Sequence, residues 1–108
     1  MFARSVSLRL KPDTLTQFTQ ILENEIVPLL RQQEGFQDEI TFATVGSPDV
    51  IAMSIWDTQE HLEAYNQKTF PQVLKSLETV LDGTPRVKVR TVISTTIGNA
   101  TAAAKTAA

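Results

Sequence analysis

At 108 residues, 42% hydrophobic and 20% charged, the chain has the size and composition of one globular domain with a single core. A net charge of −2 with dispersed Lys and Arg gives no basic footprint for nucleic acid, and no apolar run approaches the roughly 20 residues that cross a bilayer. Cysteine is absent, which removes disulfides, thiolate catalysis and Cys-based metal sites. The first residues lack the profile of a signal peptide, so a cytoplasmic location is expected.

In chain order, Phe2 to Lys11 alternates, with Val6, Leu8 and Leu10 on one parity and Ser5, Ser7 and Arg9 on the other. This predicts a strand with one buried face, closed by Pro12-Asp13. Leu15, Phe18, Ile21, Leu22, Ile26, Leu29 and Leu30 then follow helical spacing up to Gly35. Pro28 falls inside that pattern and predicts a kink near residues 25–27. A second strand is predicted over Phe36 to Val45, with Phe36, Ile40 and Phe42 on one parity. Gly46-Ser47-Pro48-Asp49 predicts a hairpin turn into a third strand, Val50 to Trp56.

The third strand stops at Asp57-Thr58, both good helix N-caps, with Glu60 placed as in a capping box with Asp57. A second helix carries Leu62, Tyr65, Val73, Leu74, Leu77 and Leu81, with a break predicted at Thr69-Phe70-Pro71. Asp82-Gly83-Thr84-Pro85 ends it. Arg86 to Ile97 alternates again as a fourth strand. Residues 98–108 are rich in Ala and Thr and are expected to form a flexible tail. The sequon at Asn99 carries no weight without a secretion signal.

The order βαββαβ is the ferredoxin-like α+β arrangement, a four-stranded antiparallel sheet with two helices on one face. On the third strand Val50, Ala52 and Trp56 share one parity while Ile51, Met53 and Ile55 share the other, so both faces read as buried. A second copy packed on the face without helices is the economical cover, and a homodimer is expected.

Two stretches carry a family resemblance: Ile26-Val27-Pro28-Leu29-Leu30-Arg31-Gln32-Gln33-Glu34-Gly35-Phe36, at the end of the first helix, and Trp56-Asp57-Thr58-Gln59-Glu60-His61-Leu62, at the strand-to-helix junction. In this order and spacing the chain, from about Phe2 to Ile97, resembles the dimeric α+β barrel superfamily, in particular its antibiotic biosynthesis monooxygenase type. The resemblance implies a face-to-face dimer of sheets and a small cavity between helices and sheet in each subunit. It also implies a group that includes oxygenases working without metal or flavin, haem-degrading members and many of no known activity. No cofactor is expected here.

The junction from Trp56 to Tyr65 supplies the candidate site residues. Trp56 reads either as a cavity wall with an indole N–H for a ligand, or as a large core residue. His61, in the first helical turn, reads as a proton-transfer group or as a solvated residue near Asp57. The resemblance implies a histidine about one turn further on; Tyr65 takes that place, with Asn66 beside it. Haem chemistry, which uses an aimed imidazole, is weakened accordingly. Tyr65 lies on the stripe of Leu62, Thr69 and Val73, so its hydroxyl is a candidate donor to an oxyanion, the alternative being a buried Tyr satisfied internally. Asn66 is a candidate substrate contact, with Ser54 and Ser7 as secondary polar groups. Asp57, Glu60 and Glu63 around His61 have no recognised metal-ligand spacing, and no metal site is expected.

Two functions follow. One is a homodimeric protein similar to cofactor-independent monooxygenases, holding a small apolar or aromatic ligand, with Tyr65, His61 or Asn66 positioning it and moving protons. The other is a non-catalytic dimeric binding or assembly module whose interior is filled by Phe18, Phe42, Phe70 and Leu62.

Overall fold

A computed structural model describes residues 1–96. The elements are β1 (Phe2–Arg9), α1 (Leu15–Ile21), a π-turn segment (Leu22–Ile26), α2 (Val27–Arg31), β2 (Phe36–Ala43), β3 (Asp49–Trp56), α3 (Gln59–Lys68), α4 (Phe70–Leu77) and β4 (Arg86–Thr91). The strands form one sheet in the order β2-β3-β1-β4, and every neighbouring pair is antiparallel. This is the α+β ferredoxin-like fold that the element order predicts. β4 is shorter than expected: its last register pair is Thr91 with Phe2, the first residue of β1, followed by a hydrogen bond from the Val92 N–H to the Met1 carbonyl at 3.0 Å. Ile97 and the expected flexible tail lie outside the described residues.

Both predicted helix breaks are local events that leave the amphipathic stripe intact. The Pro28 ring would press on the carbonyl four residues back and supplies no N–H. The turn ahead of it widens to a π-turn over Leu22–Ile26, and Pro28 falls in the first turn of α2, where its missing donor costs little. Phe18, Ile26 and Leu30 all remain buried across the irregularity. Pro71 likewise sits in the first turn of α4, after Thr69 closes α3 by donating its N–H to the Tyr65 carbonyl at 2.9 Å.

The helices cover one face of the sheet. Val6, Leu8, Val50 and Trp56 from the strands meet Phe18, Leu62, Tyr65, Val73 and Leu77 from the helices in a single core. The opposite face is open in the single chain and apolar over β2 and β3, with Ile40 39%, Phe42 47% and Ile51 43% exposed. One sequence expectation changes here. Phe36 does not share a face with Ile40 and Phe42, because β2 carries a bulge: Phe36 pairs with Trp56 and Asp38 with Ile55, which leaves Gln37 unpaired. The extra residue turns Phe36 inward, where its ring meets Trp56 edge-on at 5.7 Å.

Candidate functional site

Between the helices and the inner face of the sheet lies a cavity walled mainly by apolar side chains, among them Phe18, Leu22, Ile26, Phe70 and Val73. Its interior open to the centre of a water molecule is about 40 Å³, room for roughly three waters at about 10–15 Å³ each. With its mouth the empty space amounts to about 470 Å³. Four polar side chains reach it: Arg4, Glu39, Ser54 and Tyr65. Phe18 and Phe70 are walls of this space, while Phe42 stands on the opposite face of the sheet and does not fill it.

Tyr65 faces the sheet as its helical spacing requires and is 4% exposed. Its ring lies on Trp56 at a centroid distance of 5.0 Å and against Phe70 at 6.2 Å. Its hydroxyl has no hydrogen-bond partner among the described residues. Burial pushes the phenol above its ordinary value, and the nearby Arg4 charge only partly offsets this. Tyr65 is therefore a neutral O–H donor at physiological pH.

Trp56 is fully buried and donates its indole N–H to Ser54 Oγ at 2.8 Å. Its donor is thus spent within the protein, and the ring supports Tyr65 from behind without lining the cavity. Asn66 also serves another side chain: its Oδ1 accepts from Arg4 Nε at 3.1 Å and from Nη2 at 2.8 Å. Neither residue is among those that line the cavity, and Trp56 sits as the large core residue that is one of its two readings.

Arg4 is the site residue that sequence reading missed. It is 2% exposed, and its guanidinium lies 3.9 Å from the centre of the Phe70 ring and 5.2 Å from that of Tyr65. Burial lowers its pKa, while Tyr65 and Glu63 pull it back upward; an arginine stays charged through such shifts. The signal was present in the parity of β1, since Arg4 falls on the face of Val6, Leu8 and Leu10. A charge on the buried parity of a one-sided strand needs a partner or a use. Glu39 carries a weaker form of that signal, on the parity opposite Ile40 and Phe42. It is half-buried and accepts a hydrogen bond from the Thr41 hydroxyl.

His61 is placed elsewhere. Thr58, one residue later than the capping-box reading, caps α3, and its Oγ1 accepts from the His61 N–H at 3.2 Å. The His61 ring bonds Asp57 Oδ1 through Nδ1 at 2.8 Å and approaches Glu34 through Nε2 at 3.5 Å. Both nitrogens thus engage carboxylates at the surface, and His61 does not line the cavity; a proton-transferring role does not fit this placement. The hydrogen bond to Asp57 raises the His61 pKa against a smaller effect of desolvation, with the charges of Asp57, Glu34 and Glu60 adding to the rise. Desolvation pushes Asp57 upward, but the hydrogen bonds from His61 and Thr58 together with the His61 charge outweigh it, and its pKa falls. Among the described residues no three His, Asp or Glu side chains are grouped to hold a metal ion.

Comparison with known proteins places this geometry. The profile of a family described as antibiotic biosynthesis monooxygenase matches residues 1–73. No curated protein sequence matches the chain. Among solved structures, a protein of unknown function from Nitrosomonas europaea, NE2512, superposes with a TM-score of 0.76 at 15% identity, covering 91% of this chain and 94% of its own. A Streptomyces coelicolor monooxygenase from the gene ActVA-Orf6, solved with nanaomycin D, gives 0.73 at 14% identity over 91% and 92% of the two chains. A variant of SnoaB, a cofactor-independent oxygenase from Streptomyces nogalater, gives 0.71 at 13% identity over 89% and 96%. At these identities the likeness is one of fold.

Proposed function

Because the chain belongs to the antibiotic biosynthesis monooxygenase family, we propose that it oxygenates a small apolar or aromatic molecule held in the cavity beneath Tyr65, without metal or flavin. The observation that carries this reading is the un-ionised Tyr65 hydroxyl, without a hydrogen-bond partner among the described residues, on the wall of a mainly apolar space. The fold neighbours that include a cofactor-independent oxygenase support it.

In the proposed reaction an activated CH₂ of the substrate loses a proton to solvent, which later returns one to the peroxide anion, and the resulting carbanion passes an electron to O₂. The radical pair joins to form a C–O bond, and the protonated hydroperoxide loses water to leave a carbonyl. One oxygen atom stays in the product and the other leaves as water. Tyr65 donates a hydrogen bond to the oxyanion as charge develops. Asn66 acts one step back by fixing Arg4, and Trp56 fixes the Tyr65 ring. Oxygen consumption with anthrone- and quinol-like substrates tests the assignment. Tyr65→Phe is expected to lower turnover by about 10- to 1000-fold, the range for loss of one oxyanion donor. His61→Ala is expected to keep turnover within about two-fold of wild type, since its ring lies off the cavity. Absence of turnover across the panel, or an unaffected Tyr65→Phe enzyme, removes the proposed site.

The reading includes a homodimer in the cytoplasm, formed across the open apolar sheet face; among the described residues no helix is long and apolar enough to cross a membrane. The small interior of about 40 Å³ favours the second function, a dimeric module that turns nothing over. The substrate panel separates the two.

A further inference from the structure

Three polar side chains stand in a row across the cavity floor. Arg4 on β1 is the register partner of Ser54 on β3, and Ser54 is the register partner of Glu39 on β2. All three line the cavity. At about 4.8 Å per strand the row separates the cationic and anionic residues by roughly 10 Å at the backbone.

Arg4 is a buried cation that forms no ion pair among the described residues, where the ion pairs all involve His61, and only the more distant Glu63 charge acts on it. Asn66 occupies Nε and Nη2, and Phe70 and Tyr65 lend ring faces, so the charge is held but not neutralised. Nη1 bonds no described protein group. No fully buried polar side-chain atom among the described residues lacks a partner, so the Nη1 donors reach accessible space, and the space that Arg4 lines is the cavity. A cation kept out of water without a counter-ion is costly, and an anion arriving at it recovers that cost.

We infer that the cavity together with its mouth, about 470 Å³ of empty space, takes an aromatic molecule bearing an anionic oxygen group, with that group on Arg4. This rests on the small-molecule cavity proposed above and narrows its ligand. A guanidinium presents paired donors to the oxygens of such an anion. Glu39 at the far end of the row repels the same group, so the ligand has one favoured orientation. The Tyr65 hydroxyl supplies a further donor, and the apolar walls take the ring.

Trp56 is the single tryptophan of the chain and packs against Tyr65 at a ring tilt of 32°, so its fluorescence reports occupancy. Titration of the full chain with benzoate and with its neutral isostere benzamide is expected to give saturable changes, with benzoate about ten-fold tighter or more. Arg4→Gln is expected to abolish that preference. Glu39→Gln, on an edge strand, is expected to tighten benzoate by about two- to five-fold and leave benzamide unchanged. Benzamide binding as tightly as benzoate, or a preference that neither variant alters, overturns the inference while the small-molecule cavity stands. Binding of neither probe removes both. The wild-type and Glu39→Gln titrations decide the matter even where Arg4→Gln fails to fold.

Discussion

Gly35 stands where a side chain cannot. Its φ is +84°, and a Cβ there would fall inside contact distance of Asp57 Oδ1 and of His61 Nδ1 and Cβ. The Gly35 carbonyl also accepts the Asp57 N–H at 3.0 Å. Backbone strain and collision with the Asp57–His61 pair act together, so Gly35→Ala is expected to cost about 1–3 kcal/mol in a denaturant melt. The same pair gives stability a pH dependence. His61 is raised above its ordinary 6.5, so its contribution is complete below that value and fades as pH rises through the folded pKa. Asp57 is lowered from 3.8, so its contribution is complete above that value and fades as pH falls through its folded pKa. The contact is therefore strongest between about pH 4 and 6.5. The difference in Tm between wild type and His61→Ala is expected to shrink from pH 6 to pH 9; a constant difference would sink this account. The residue types at this junction were legible in sequence. Their partners were not, because Glu34 and Gly35 reach His61 only once α2 and β2 have folded back onto α3.

At the scale of elements, periodicity located every strand and both helical breaks, since apolar spacing and proline report directly on the backbone. It misread β2, because a bulge shifts parity without leaving a mark in composition. With Gln37 unpaired, Phe36 faces inward and Ile40 and Phe42 face outward. Deleting Gln37 would join Phe36 to Asp38 with every facing preserved. The shortened protein is expected to fold with a loss below about 1 kcal/mol, or about 4–8 °C in Tm for a domain near this size. Deleting Thr41, by contrast, would reverse the facing of one end of the strand and is expected to abolish cooperative unfolding. A Gln37 deletion as damaging as the Thr41 deletion would show that the bulge itself is needed. The segment before β2 is held at a second point, where Thr69 Oγ1 donates to Gln33 Oε1 at 3.0 Å. The break between α3 and α4 thus tethers the entry to the bulged strand.

At the scale of the whole molecule, the open sheet face is the surface on which the proposed second copy would pack. Phe42, Ile40 and Ile51 are 47%, 39% and 43% exposed, so covering what remains stabilises by roughly 1 kcal/mol each, and a second copy would cover two sets at once. If the proposed dimer forms across this face, Phe42→Asp is expected to convert it to a monomer in size-exclusion chromatography with light scattering, without loss of helical circular dichroism. A wild-type protein that runs as a monomer at micromolar concentration would refute the dimer. The sequence by itself determined the βαββαβ order, the two-sided apolar character of β3 and the inward face of Tyr65, because each follows from spacing along a single element. Only the tertiary structure decided that His61 stays at the surface, that Trp56 spends its donor on Ser54, and that Arg4, Ser54 and Glu39 share one row under the cavity. Those facts depend on which strands become neighbours and in what register, and register is set by long-range pairing that no local pattern records.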